Sequence, residues 1–265
     1  MVETTWSMPD ERQRHILEHL SRSGRVMAID LARRFGVSED TARRDLRDLA
    51  AAGLCRRVYG GALPLSPATG TLRQRETEQV SRKAALGQAA ADLLAKVIQP
   101  HQVLFLDAGS TNVAVARALS QELRITVVAH APRVAAALAD AAGIELVMIG
   151  GRVDPRSGAA LGIRALRDLA AIRIDVALLG ACAIDAAAGL AAFHLEDAEF
   201  KRAAAQDAAM VLSTATSGKL GTGAPFAVLP ASRLAHLVVE ADAPATLLEP
   251  FVALGIAIHR AGAAT

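Results

Sequence analysis

The chain has 265 residues, a formal net charge of +2, 52% hydrophobic residues and only 3% aromatics. That length accommodates a small domain and a larger one, each with its own core, and the near-balanced charge excludes polyanion binding through a global field. Two cysteines, Cys55 and Cys182, exclude a disulfide framework and point to a reducing cytoplasm. The opening MVETTWSMPDERQRH carries no apolar segment of signal-peptide type, and apolar runs elsewhere are of strand length or interrupted by charge and glycine. Neither secretion nor a membrane span is expected.

In chain order, His15 and His19 are spaced i, i+4 on a first helix, but no third ligand lies nearby in sequence, so no metal site is expected. Residues Ala28 to Phe35 read as a short helix, Gly36 as a sharp turn, and Ser38 as the cap of a second helix running to Gly53. On that helix Ala42, Leu46 and Leu49 fall at i, i+4, i+7, while Arg43, Arg44 and Arg47 project from the other side. Leu54 to Ala62 then read as two short strands folding back as a wing. A lone charged helix face is ordinarily just solvated; helix, turn, capped helix and basic wing in this order predict a winged helix-turn-helix that binds a double-stranded DNA operator. Guanidinium groups pair with guanine edges or with phosphates. The expected DNA-facing residues are Ser38, Thr41, Arg43, Arg44 and Arg47 on the helix, with Arg56 and Arg57 of the wing meeting the phosphate backbone.

The stretch LSPATGT, Leu65 to Thr71, is the natural seam. Expected divisions are 1–64 for the DNA-binding domain, 65–75 for a linker and 76–265 for a second domain. From Glu76 onward apolar strands alternate with helices, the signature of an α/β layer with a mainly parallel sheet. Glu76 to Val97 predicts one helix, followed by strands at 103–106, 125–129, 144–149, 174–179, 210–212 and 237–239. Helices are expected near 112–121, 132–142, 195–208 and 246–254, with a short one before the strand at 174. Ligands of such sheets sit beyond the carboxyl ends of strands. There, Asp107, Gly109, Ser110, Thr111 and Asn112 open a helix whose free amides and hydroxyls suit a phosphate; a capped turn is the alternative. Gly150 and Gly151, Gly180 to Cys182, and Ser217 to Gly221 mark further strand ends. Lys219, one of four lysines in the chain, is flanked by glycines that suit close approach to an anion.

Over essentially its whole length the chain resembles the DeoR family of bacterial transcriptional regulators. The family's Val-Ser-x-x-Thr-x-Arg-Arg-Asp-Leu core and Gly-Gly wing are matched by Val37, Ser38, Thr41, Arg43, Arg44, Asp45, Leu46, Gly60 and Gly61. The resemblance implies a C-terminal α/β sensor domain similar to ribose-5-phosphate isomerases, binding a phosphorylated sugar that alters DNA affinity. Asp107, Gly109, Ser110 and Thr111 match its Asp-x-Gly-[Ser/Thr]-Thr loop, Gly150 and Gly151 its Gly-Gly pair, and Lys219 its late lysine. Three stretches depart. Ala129-His130 replaces Thr-Asn, which puts His130 on the expected effector side; Gly180-Ala181-Cys182-Ala183 replaces Gly-Ala-Asp-Gly; and the segment before Lys219 lacks the family's aspartate. These departures imply that the phosphate loop persists while the sugar-reading side has changed. The reading is a cytoplasmic, homo-oligomeric (dimeric or tetrameric) regulator, in kind a repressor, with a phosphorylated effector, no cofactor and no membrane partner. Two alternatives are a sugar-phosphate isomerase-like enzyme with an accessory DNA-binding module and a regulator with a degenerate pocket. Proton abstraction needs a carboxylate base, and Cys182 and Ala183 stand where the related isomerases are acidic, so no catalysis is expected.

Overall fold

The computed structural model describes residues 8–68 and 70–263. Its N-terminal domain comprises α1 (Pro9–Ser23), β1 (Val26–Met27), α2 (Ala28–Phe35), α3 (Glu39–Ala51), β2 (Arg56–Val58) and β3 (Gly61–Leu63). Helix α2 stops where Gly36 adopts φ 65°, a left-handed conformation that costs glycine little. Two residues on, the Ser38 hydroxyl accepts from the Thr41 amide at 3.1 Å and starts α3. The three strands form an antiparallel sheet in the order β1-β3-β2. Ile16, Leu20, Leu31, Phe35, Ala42, Leu46 and Leu49 interlock beneath it as one core. Each such leucine stabilises the fold by about 1.5–3 kcal/mol through burial.

The stretch predicted as one helix over 76–97 is instead two, α4 (Leu72–Thr77) and α5 (Val80–Val97), separated where Gln79 takes φ 51°. A capping box between Thr71 and Gln74 starts α4 earlier than the apolar pattern suggested. Then follow β4 (Val103–Leu106), α6 (Ser110–Ala118), β5 (Ile125–Ala129), α7 (Pro132–Leu138), β6 (Ile144–Met148), the short hairpin β7 (Arg152–Val153) and β8 (Ala160–Leu161), and α8 (Ile163–Ala170). The chain continues with β9 (Val176–Gly180), β10 (Ala183–Asp185), β11 (Gly189–Ala192), α9 (Leu195–Gln206), β12 (Met210–Ala215), β13 (Phe226–Leu229), β14 (His236–Val239), α10 (Ala245–Ala253) and β15 (Ala257–Arg260).

Seven of these strands make one sheet in the order β15-β14-β12-β9-β4-β5-β6, and every neighbouring pair is parallel. The chain enters at β4, builds outward to β6, then returns to β9 and builds the other way. The crevice between the ends of β4 and β9 is therefore the topological switch point, the place where open parallel sheets bind ligands. Strands β10, β11 and β13 form a separate antiparallel sheet. These strands are only three or four residues long, too short to carry a readable alternation.

The two domains touch. Arg25 pairs with Asp185 at 2.6 Å, Arg56 Nη2 donates to the Pro225 carbonyl at 2.9 Å, and Leu65 bridges Gly223. The segment expected as a linker at 65–75 lies on the second domain, where the Ser66 hydroxyl donates to the Cys182 carbonyl at 2.6 Å. Among the described residues no helix is long and apolar enough to cross a membrane.

Candidate DNA-binding surface and anion pocket

On α3, Arg43, Arg44 and Arg47 are all exposed, on the side away from the core stripe, as their spacing requires. Arg43 is tethered to Glu39 at 2.6 Å, one turn back. Ser38 and Thr41 bond one another through their hydroxyls at 2.9 Å, so Ser38 is committed first to capping. Arg57 is exposed on β2, and Tyr59 at the wing tip is 99% exposed. Arg56, expected on the DNA backbone, turns instead to the second domain through Pro225. Arg12 of α1 grips Asp45 of α3 in a buried two-pronged pair, Nη2 to Oδ1 at 2.9 Å and Nε to Oδ2. That hydrogen bond, against the cost of burial, raises the pKa of Arg12. Sequence reasoning assigned Asp45 no role. The signal was there: Asp45 lies between Ala42 and Leu49 on the buried stripe, a position a carboxylate occupies only when paired.

At the switch point the loop after β4 begins α6. Gly109 is the N-cap with φ 131°, and no side chain caps the helix. The alternative of a self-capped turn is thereby set aside: the first-turn amides have neither an intrahelical acceptor nor a capping side chain. The pocket over them is lined by Gly109, Ser110, Thr111, Asn112, Gly180, Cys182, Thr214 and Lys219, among others. Buried oxygens of Asn112 (Oδ1), Thr214 (Oγ1) and, on the neighbouring turn, Ser217 (Oγ) have no hydrogen-bond partner among the described residues. Such groups are costly unless a ligand or water satisfies them.

Asp107 and His130, expected on the effector side, lie behind the pocket. Asp107 is fully buried, and its oxygens accept from the amides of Ala108 and Gly180, both at 2.8 Å, from His130 Nε2 at 3.0 Å and from Lys201 at 2.9 Å. Burial opposes its ionisation, but the Lys201 charge and the His130 hydrogen bond outweigh it and hold its pKa at about 2. Its acceptor capacity is used in tying β4 to β9. His130 is stacked on Phe200 with ring centroids 4.2 Å apart, its Nδ1 3.2 Å from the Ala160 carbonyl. Gly150 and Gly151 are also displaced from the pocket. They end the edge strand β6, two strands away from β9's neighbour β4, and line a separate groove with Leu161 and Ile163.

The sequence reading missed Lys201, Asp197, Thr214 and Arg75 as pocket residues. Asp197 and Lys201 sit at i, i+4 on α9, 2.7 Å apart, a spacing visible in the sequence but common on any solvated helix. Burial opposes the charge of Lys201, yet Asp107 and Asp197 together raise its pKa. Lys219 differs. Burial and the like charges of Arg75, Lys83 and Lys201 outweigh the opposing Cys182 and pull its pKa down to about 8. Burial also pushes the Cys182 thiol up. Among the described residues, no group of three or more His, Cys, Asp or Glu side chains is arranged to hold a metal.

An arginine-faced helix on one domain and a cationic switch-point pocket on the other define a two-domain, DNA-binding regulator. Residues 12–68 match the DeoR-like helix-turn-helix domain and residues 78–241 the DeoR C terminal sensor domain. The chain belongs to the DeoR family of transcriptional regulators. It is 28% identical to the putative aga operon transcriptional repressor of Escherichia coli O157:H7, over 95% of this chain and 94% of that protein. Identity to the HTH-type transcriptional regulator GlpR of Haloferax volcanii is 33%, over 81% of this chain and 83% of that one. Among solved structures, the full-length sorbitol operon regulator of Klebsiella pneumoniae overlaps 82% of this chain and 92% of its own, at 13% identity and a TM-score of 0.41. The protein is a DNA-binding transcriptional regulator with a sensor domain, and its family is one of regulators, not enzymes. The isomerase-like reading is set aside on that ground.

Proposed function

We propose that the protein is a repressor of sugar or related metabolic genes whose sensor domain binds a phosphorylated metabolite at the start of α6. One observation carries this reading: the uncapped first turn of α6 shares a pocket with Lys219, which has no carboxylate partner among the described residues. Lys201 is neutralised by Asp107 and Asp197, so Lys219 supplies uncompensated positive charge where a helix N-terminus already favours an anion. The names of relatives agree, including a glycerol-3-phosphate regulon repressor of Escherichia coli at 28% identity. Backbone amides with the Ser110 and Thr111 hydroxyls would take the phosphate, and the unpartnered Asn112 and Thr214 oxygens would face the rest of the ligand. A thermal-shift screen of sugar phosphates against the full chain identifies the effector, since a ligand at a hundred times its Kd stabilises by about 2.7 kcal/mol. Thr111→Glu places a fixed negative charge in the cradle. This variant should bind operator as wild type does and ignore the identified effector; a wild-type effector response would move the site elsewhere.

Affinity should also depend on pH. With its pKa near 8, Lys219 begins to lose its proton within the assay range. A bound anion stabilises the ammonium, so affinity is full below pH 8 and falls as pH rises through it, by about tenfold at pH 9. The second ionisation of a phosphate monoester, near pH 6, lies below this window. Lys219→Met should be weak and flat across it, and an equally steep profile in that variant would assign the proton elsewhere.

Arg44 and Arg47 project from the exposed face of α3, where they would meet base edges or phosphates, and Arg57 and Tyr59 are exposed on the wing. Arg44→Ala should cost about 1–3 kcal/mol of operator binding with poorer discrimination against mutated sites, whereas Arg57→Ala should weaken all sequences alike. Wild-type affinity in both would refute this docking. One recognition helix covers one half-site, so the working form is a dimer or tetramer assembled through residues 76–265. Light scattering of the full chain that returned a monomer at operator-binding concentrations would rule that out.

A further inference from the structure

We propose that Arg75, in the segment joining the two domains, is a further ligand of the anion held at α6, beside Lys219, so that the effector ties this segment to the pocket. The inference rests on the anion-pocket reading above and extends it to regulation. Arg75, in the last turn of α4, lines the pocket of Ser110, Thr111 and Lys219 and also the adjoining chamber walled by Thr71, Gln74 and Arg156. Among the described residues its guanidinium bonds the Arg156 carbonyl at 3.0 Å, while its buried Nε has no partner. No carboxylate lies within ion-pair distance of it among the described residues; the neighbouring Glu76 is paired with Arg133 at 3.0 Å. A half-buried guanidinium that is close enough to depress Lys219, and that spends one of its five donors, is built to receive an anion.

The backbone behind Arg75 is held in place. Lys83 donates to the carbonyls of both Arg75 and Glu78, the latter at 2.7 Å. At the other end of the segment, Ser66 is fastened to the Cys182 carbonyl of the pocket wall and its amide to Gly223 at 3.2 Å. The segment thus spans the outer chamber with one end on the DNA-binding domain's last strand. An anion bonded to both Arg75 and α6 favours arrangements in which α4 is seated, and loses a ligand in those where it is not. That difference between states is what an effector needs in order to change DNA affinity.

The test uses the full chain with inorganic phosphate as the probe, read by binding and by amide hydrogen exchange. In wild type, phosphate should slow exchange at 109–113 and also at 66–79. Arg75→Gln should raise the phosphate Kd at least tenfold and lose the response at 66–79, while 109–113 still responds at higher concentration. Arg75→Lys, which keeps the charge without the planar fork, should fall between. Wild-type phosphate affinity in Arg75→Gln, or a wild-type response confined to 109–113, would overturn the inference and leave the α6 site standing. No response at 109–113 in wild type would overturn both. If Arg75→Gln does not fold, the wild-type exchange pattern decides by itself.

Discussion

Asp45→Ala is expected to abolish operator binding without removing a DNA contact. Asp45 points into the N-terminal core, where it takes both prongs of the Arg12 guanidinium. Deleting the carboxylate takes both of those bonds from a buried cation, a change that costs about 3–5 kcal/mol. A small domain has about 5–15 kcal/mol in all, so the recognition helix loses the packing that holds it against α1 at or near physiological temperature. Thermal unfolding followed by circular dichroism should show the low-temperature part of the transition shifted or gone, with the sensor part retained. The double variant Arg12→Met/Asp45→Leu should recover most of the loss, because replacing a whole buried pair by apolar groups is often neutral. A single variant within about 1 kcal/mol of wild type would mean that the pair contributes no more than a surface one.

Lys201→Met should be the most damaging single change in the sensor domain. It leaves two buried carboxylates, Asp107 and Asp197, without their shared cation, again at a cost of about 3–5 kcal/mol. Because Asp107 ties the amides of Ala108 and Gly180 together across β4 and β9, the switch-point crevice should open with it and phosphate binding should disappear. The sign of the pH effect is a further check. In wild type the pKa of Asp107 is depressed to about 2, so its contribution is present above the ordinary carboxylate range and is lost as pH falls through that value. In the variant only His130 is left to offset burial and the Asp107 pKa rises, so the deficit relative to wild type should narrow between pH 7 and pH 4. A deficit that stays constant over that range would show that packing of the lysine stem, not charge, is responsible.

Features built from neighbouring residues were legible in the sequence. The Ser38 cap, the stripe of Ala42, Leu46 and Leu49, and the outward arginines of α3 follow from a period of 3.6 residues. The strand-glycine-helix order at 103–118 placed the turn into α6, and the observed helix begins within two residues of its expected start. Glutamine at 79 breaking a helix, and the alanine-rich strands β10 and β11, left no such trace, because neither departs from the composition around it.

What the sequence determined by itself was therefore local: where the strands of the parallel sheet and most of its helices run, which face of α3 is charged, and which turn opens α6. The tertiary structure alone decided which side chains meet. Asp107 and His130 read as ligand-side groups until the parallel pairing of β4 with β9 and the approach of α9 turned them into the frame behind the pocket. Arg56 read as a DNA contact until the second domain supplied the Pro225 carbonyl. Arg75 carried no signal until α4 docked at the switch point. These partners lie from tens of residues to well over a hundred residues apart in the chain. Hydrogen bonds and ion pairs act over a few ångströms, so their pairing is set by the order of strands in the sheet and not by spacing along the sequence.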